Sequence, residues 1–292
     1  MSLAWTSANG STWPLDGSDG VTVVDTAEGI FSIPLDMIVE QRVGADGGVL
    51  ISQRRAPRRV MLSFLLAEPS EGAGVLSLWT EFYAALTAGG TLSYEGVSAT
   101  RELRQVLLEG ADRSMLGRDL RYAPADRFTA TFIALDPWWY GSAESQTINL
   151  GSPTAWNAAI PWNSAIPWNG GSAVSVGIIG DTSALPVWTI TGATTELLVA
   201  NSAGSSWTWI DDLASGAYGT VDHRPGSRGP RLGSDLYGDE ESDFGLWYLL
   251  DNSSTLDWGL AVGDNNLVVS AAGTDGSTTL EMWYEPRYLG PG

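Results

Sequence analysis

The chain has 292 residues, a formal net charge of −19 and no cysteine. All 15 basic residues are arginine, and this acidic balance lacks the basic surplus that neutralises phosphates, which argues against binding to nucleic acid or to an anionic membrane surface. The lack of cysteine excludes disulfides, thiolate nucleophiles and Cys-ligated metals. The sequence predicts neither a signal peptide nor a membrane-spanning helix.

The first third of the chain is typical of β-strands. Residues 21–26 form a short β-branched run, and residues 58–66 alternate so that every second position from Val60 to Leu66 is apolar. This period of two predicts a strand with one buried face. Four arginines flank the start of this strand: Arg54, Arg55, Arg58 and Arg59.

One amphipathic helix is predicted at about residues 72–88. Its apolar residues recur at the i, i+3, i+4, i+7 spacing of a single helix face. These residues are Val75, Leu78, Trp79, Phe82 and Leu86. The glycine pair at 89–90 predicts the end of the helix.

Further strands are predicted after the helix, and the last of them, residues 127–135, leads into an aromatic stretch. That stretch, "DPWWYG", contains Trp138, Trp139 and Tyr140, and its Pro137 predicts the end of the strand.

Residues 143–180 are predicted to form a connector, because they are low in charge and rich in Ser, Gly, Ala, Asn and Pro. The connector contains "WNAAIPWNSAIPWN", in which Trp156, Trp162 and Trp168 repeat at a spacing of six. In an extended chain the three rings would share one face. We expect this segment to be a docked aromatic strap, with a sugar-binding platform and a mobile linker as the alternatives.

The remainder, residues 181–292, predicts a β-sandwich. Seven short strand patterns occur there without a helix pattern, separated by turn-forming residues. The patterns lie at residues 186–192, 195–201, 205–211, 218–223, 244–250, 266–271 and 278–286.

The sequence predicts no catalytic, cofactor-binding or metal-binding residues. His223 is the only histidine, and its sequence neighbour Asp222 would point to the opposite face of a strand, so a Ser-His-Asp site is not expected. The acidic cluster at residues 239–243 is interpreted as a solvated loop, with a Ca²⁺ site as an alternative. A catalytic carboxylate pair there is a further alternative.

Several stretches, taken in order, resemble the distal tail protein of long-tailed, siphovirus-type bacteriophages. In the first half they are "RRVMLSFLL", "LSLWTEFYAAL", "GTLSYEG" and "ALDPWWYG". In the second half they are "GDTSALPVWTITG", "LLVANSAGSSWTWID", "GTVDHRPG" and "WGLAVGDNNLVVSA". The resemblance covers nearly the whole chain, and the hexapeptide array is a departure from it.

The resemblance implies a mainly β fold with two domains. Residues 1–142 would form a β-barrel-like or split-barrel domain with one helix, and residues 181–292 a galectin-like β-sandwich. It also implies a structural virion protein rather than an enzyme. Such a protein would form a hexameric ring at the tail tip, with the tail tube protein and the tail-tip or hub proteins as partners.

The interface residues expected under this reading are Arg54, Arg55, Arg58, Arg59, Trp138, Trp139, Tyr140, Trp156, Trp162 and Trp168. The arginines would pair with acids of a neighbouring subunit or of the tube. The alternative function is a carbohydrate-binding module that contributes to host adhesion, so receptor-binding proteins and host glycans are further candidate partners. A glycosidase or peptidase is disfavoured because the chain lacks cysteine and has a single histidine.

Overall fold

The computed structural model describes residues 2–41, 48–67, 75–96, 99–113, 123–150, 172–232 and 246–291. The chain divides into two compact units, residues 1–142 with 287–292, and residues 143–286. Strands dominate both units and the described residues contain one α-helix, which confirms the predicted mainly β fold. Among these residues no helix is long and apolar enough to span a membrane.

The first unit is built on a large antiparallel sheet that curls into a nearly closed, barrel-like form. The strand order along it is β2-β1-β7-β8-β9-β6-β3, and β10 pairs with β8. The elements are β1 (Ser2–Ser7), β2 (Thr12–Pro14), β3 (Val21–Glu28), β4 (Leu35–Gln41), β5 (Gly48–Arg55), β6 (Arg58–Ala67), α1 (Leu76–Thr87), β7 (Gly90–Glu95), β8 (Thr100–Arg113), β9 (Ala125–Ala134) and β10 (Trp139–Tyr140).

The core of the first unit follows from two sequence patterns, the alternation of apolar residues in its strands and the helical spacing of apolar residues in α1. The alternating residues of β6 and β9 turn their apolar side inward, and α1 covers them with its buried residues at the i, i+3, i+4 spacing. Phe64 of β6 stacks on Phe128 of β9 at 5.0 Å between ring centroids and meets the edge of Phe82 of α1 at 5.3 Å. Gly89, with φ +73°, ends the helix in the left-handed conformation that glycine tolerates.

The second unit consists of two antiparallel sheets around one core. Its strands are β11 (Glu144–Asn149), β12 (Ser172–Ile178), β13 (Val187–Thr191), β14 (Glu196–Asn201), β15 (Ser206–Trp209), β16 (Tyr218–Asp222), β17 (Gly229–Leu232), β18 (Gly263–Ala272) and β19 (Thr279–Tyr284). The five-stranded sheet has the order β11-β19-β13-β16-β17 and the four-stranded sheet the order β12-β18-β14-β15.

Tryptophans hold the two sheets together. Trp188 of the five-stranded sheet lies 6.1 Å from Trp207 of the four-stranded sheet, measured between ring centroids, and both are fully buried. Trp209 packs against Gly219 so closely that a β-carbon at that glycine would lie 2.5 Å from the indole ring. The shared core of the two sheets makes this unit a β-sandwich.

The structure differs from the sequence prediction in three places. Both ends of the predicted connector, residues 143–180, contain strands of the sandwich, because β11 and β12 pair with β19 and β18. The pattern at residues 244–250 contains a 3₁₀ helix, Leu246–Leu249, rather than a strand. The chain end returns to the first unit, where the two-residue strand β20 (Arg287–Tyr288) pairs with β10.

Candidate functional site

A two-stranded hairpin of the first unit carries an exposed apolar surface. Among the described residues, β4 and β5 pair only with each other. Directly opposite residues share a face, and Val39 lies opposite Leu50. We call this side the apolar hairpin face. Its apolar residues, each 42–56% exposed, are Leu35, Met37, Val39 and Leu50, with the bulge residue Ile51 next to Leu50, and the polar Gln53 and Arg55 lie on the same side opposite Met37 and Leu35.

The opposite side of the hairpin is mostly polar. Asp36 lies opposite Arg54, whose Nε donates a 2.8 Å hydrogen bond to the Asp36 carboxylate. Ile38, 58% exposed, shares this side with Asp36 and with Glu40. The hairpin is therefore amphipathic, although in this chain neither of its sides is buried against the barrel core.

The base of the hairpin is fixed by an arginine–tryptophan cluster, which consists of Arg55, Trp138 and Arg287. The two guanidinium carbons lie 5.7 Å and 5.6 Å from the centroid of the Trp138 ring. This is the range of a cation–π interaction. Nearby, the Tyr140 hydroxyl donates a 2.6 Å hydrogen bond to Asp136. The aromatic stretch predicted from the sequence thus anchors the end of β5.

Three of the four arginines singled out in the sequence are exposed. Arg54 pairs with Asp36, and Arg59 donates a 2.7 Å hydrogen bond to Glu109 on β8. Arg55 belongs to the arginine–tryptophan cluster. The contacts of Arg54 with Asp36 and of Arg59 with Glu109 are surface ion pairs within the chain, and such pairs contribute about 0–1 kcal/mol each.

Arg58 is not a surface cation, which corrects the expectation that all four arginines face a partner. Its side chain is fully buried. Its guanidinium donates to the carbonyl oxygen of Ile30 and, at 2.6 Å, to that of Leu289 near the chain end. Burial lowers the pKa of Arg58 to about 10. The alternation of β6 explains this position, because Arg58 shares the inward face with Val60.

The aromatic interface candidates also include both buried and partly exposed residues. Trp139 is fully buried, and its indole N–H donates a 3.0 Å hydrogen bond to the carbonyl of Ile30, so it is a core residue rather than a surface one. Trp138 and Tyr140 are partly exposed. The remaining candidates, Trp156, Trp162 and Trp168, lie outside the described residues, and so does the acidic cluster at 239–243.

A shallow groove adjoins the hairpin. We call it the hairpin-base groove, and its lining is apolar apart from Ser32 and Arg59. The lining residues are Gly29, Ser32, Ile33, Pro34, Ala56, Pro57, Arg59 and Ile133. Because residues 32–34 precede β4 and residues 56–57 follow β5, the groove lies where the hairpin leaves the barrel.

His223 has a packing position in the second unit. It is fully buried, and its ring meets that of Trp258 edge to face at 4.9 Å. Burial lowers its pKa to about 4, although the charge of Asp222 acts in the opposite direction. Among the described residues no group of three His, Asp or Glu side chains could hold a metal ion.

The amphipathic hairpin was not among the strands predicted from the sequence. A usable signal is present, because positions 35, 37 and 39 alternate with Asp36, Ile38 and Glu40. Ile38 interrupts the alternation on β4 and the bulge shifts it on β5, which weakens the period-two pattern.

Solved structures of phage tail proteins share this fold over almost the whole chain. One is the Dit protein of SPP1, described as a paradigm of the hub adsorption apparatus in phages that infect Gram-positive bacteria. It has 13% identity and a TM-score of 0.65, with 98% of each chain covered. The phage P2 baseplate in its activated conformation gives a TM-score of 0.52 at 11% identity, both with Ca and with Sr, over at least 97% of each chain.

The chain therefore has the fold of a phage tail hub protein, as the resemblance to distal tail proteins predicted. At 11–13% identity the likeness concerns the fold. Neither a family model nor the sequence of a curated protein gives a match.

Proposed function

We propose that this chain is a structural protein of a phage tail tip, located in the virion, which forms a ring between the tail tube and the host-adsorption apparatus. The observation that carries the proposal is the shared fold with the SPP1 hub protein across both units and 98% of each chain. A match of this extent includes both units and not the sandwich alone, which other classes of protein also contain.

The apolar hairpin face supports assembly with further copies of the chain. Fully burying one such apolar side chain contributes about 1.5–3 kcal/mol, so covering the exposed half of five of them contributes about 4–8 kcal/mol. Exposed apolar surface of this kind is typical of interaction sites.

The same unit offers both halves of a head-to-tail contact. The apolar hairpin face and the hairpin-base groove are different surfaces, so a hairpin seated in a neighbour's groove leaves that neighbour's own hairpin available. Contacts of this type produce rings when the rotation closes, and six copies is the number proposed here. Arg54 and Arg59, at the surface beside this region, are the cations proposed to meet acids of the next subunit or of the tube.

Native mass spectrometry and negative-stain imaging of the full chain test the ring. The wild type should give a closed ring of uniform size. The double variant Val39→Asp, Leu50→Asp places two charges on the apolar hairpin face and should leave monomers, because a charge buried without a partner is strongly unfavourable.

Ile38→Asp is the matched control, since Ile38 is as exposed as these residues and lies on the same hairpin but on the polar side. It should still assemble. A wild-type chain that remains monomeric at high concentration and in the presence of the tail tube protein would contradict the proposed role. Equal loss of assembly in the control would show that the apolar side is not the interface.

Glycan binding by the second unit, as a contribution to host attachment, is the second candidate function. It is favoured by the outer face of the five-stranded sheet, on which Thr189 and Thr220 are direct cross-strand partners and Trp283 lies in the adjacent row of side chains.

A further inference from the structure

One row of side chains crosses all five strands on the outer face of the five-stranded sheet. Each residue in it is the direct cross-strand partner of the next, and the order is Thr147, Glu281, Thr189, Thr220, Arg231. Directly paired residues share a face, and their chain neighbours such as Ile190 and Val221 fill the core, so this row points outward. At about 4.8 Å per strand the row is about 19 Å long.

The two central threonines carry hydroxyl groups that the described part of the chain does not satisfy. Thr189 and Thr220 are each only 8% exposed, and within the described residues neither hydroxyl has a hydrogen-bond partner. Neither is sealed off from solvent. A hydroxyl that reaches solvent and has no partner within the protein can both donate to and accept from a bound molecule, so this pair favours a ligand that supplies hydroxyl or amide groups.

A second row on the same face lies two residues along each strand and contains Trp283 and Asp222. The guanidinium of Arg224 lies over the Trp283 ring, 4.8 Å from its centroid. The guanidinium of Arg224 also donates hydrogen bonds of 2.8–3.2 Å to Asp222, which is in the same row. At the other end the ring of Trp247, 47% exposed, lies 3.6 Å from the position of a β-carbon at Gly229.

We propose that this outer face binds a neutral, hexose-containing glycan. The C–H face of a sugar ring stacks on an indole, and the hydroxyls of the sugar match the threonine hydroxyls and the Asp222–Arg224 ion pair. The charges on the face balance, since Asp222 is paired with Arg224, and Glu281 shares a row with Arg231. The net charge of −19 disfavours anionic polymers. This inference rests on the second proposed function and is independent of the ring.

The test uses the full chain and an array of neutral oligosaccharides that contain glucose, galactose or N-acetylglucosamine, followed by calorimetry with the tightest binder. The double variant Thr189→Val, Thr220→Val removes both hydroxyls without changing the shape of the side chains, and it should weaken binding about tenfold or more. Trp247→Ala should weaken it as well, because it removes the exposed ring.

Thr208→Val is the matched control, because Thr208 faces outward from the four-stranded sheet between the buried Trp207 and Trp209. It should bind like the wild type, and equal melting temperatures of all variants would show that folding is unaffected. The proposal is overturned if the wild type binds no neutral glycan on the array, if the double valine variant binds with unchanged affinity, or if only charged polymers or other tail proteins bind. Native mass spectrometry of the same samples reports ring assembly separately.

Discussion

Acid should destabilise the second unit through His223, the single histidine of the chain. Its ring is fully buried beneath Trp258, so the protonated form must be desolvated. Burial lowers its pKa from the ordinary value of 6.5 to about 4. The nearby charge of Asp222 favours the protonated ring but does not cancel the effect of burial.

The sign and size of the effect follow from proton linkage. The unfolded chain binds a proton at this site below about pH 6.5, whereas the folded chain binds it only below about pH 4. The titration of His223 therefore leaves the free energy of unfolding unchanged above about pH 6.5 and lowers it as the pH falls from about 6.5 to about 4. The difference between the two pKa values corresponds to about 3 kcal/mol lost by pH 4.

His223→Phe keeps a ring against Trp258 and removes the titration. We expect urea unfolding of the wild type to show about 3 kcal/mol more loss of stability between pH 7 and pH 4 than the variant shows. The carboxylates titrate in both proteins, so the difference isolates the histidine. With one histidine in the chain, NMR of its ring also gives the folded-state pKa directly.

Two results would refute this reasoning. One is a His223 ring that titrates near pH 6.5 in the folded protein, which would mean that water reaches it. The other is a stability difference between pH 7 and pH 4 that is the same in the wild type and in His223→Phe.

Two further predictions concern packing. Gly219→Ala forces a methyl group to 2.5 Å from the ring of Trp209 and should cost about 1–3 kcal/mol in unfolding experiments, whereas Gly276→Ala, where the added carbon meets nothing within 4 Å, should cost little. Arg101→Met removes the guanidinium that lies 3.5 Å from the ring centroid of Tyr288, and it should speed amide exchange in β20 while the sandwich strands keep their protection. Unchanged exchange in β20 would show that this contact does not hold the chain end.

Strong local periodicity was sufficient to predict the central elements. The strand expected at residues 58–66 is observed as β6, and the helix expected at about 72–88 is observed as α1 within that range. In both cases the buried face is continuous along the element, so the apolar period is complete. The aromatic stretch after β9 was also singled out, although the direction of each ring was not predicted.

Elements defined by distant partners could not be predicted in this way. β20 has two residues and exists because β10 offers it an edge, and no local pattern encodes that pairing. The alternation of β6 places Arg58 on the inward face, but its carbonyl partners at Ile30 and Leu289 are remote in sequence, so the sequence did not predict how its charge is accommodated there. The row of side chains from Thr147 to Arg231 on the five-stranded sheet depends on how all five strands are aligned with one another. The sequence of each strand alone does not determine that alignment.

The position of β20 has a consequence for how the molecule can change. The sandwich leaves the first unit after Tyr140 and returns at Arg287, and these two residues are direct partners in neighbouring strands. Its two ends therefore attach to points about 4.8 Å apart. An inserted domain with such closely spaced ends can be enlarged, exchanged or replaced by a tight turn without altering the register of the sheet into which it is inserted. The sequence of the inserted sandwich can then change while the host sheet keeps its own sequence requirements.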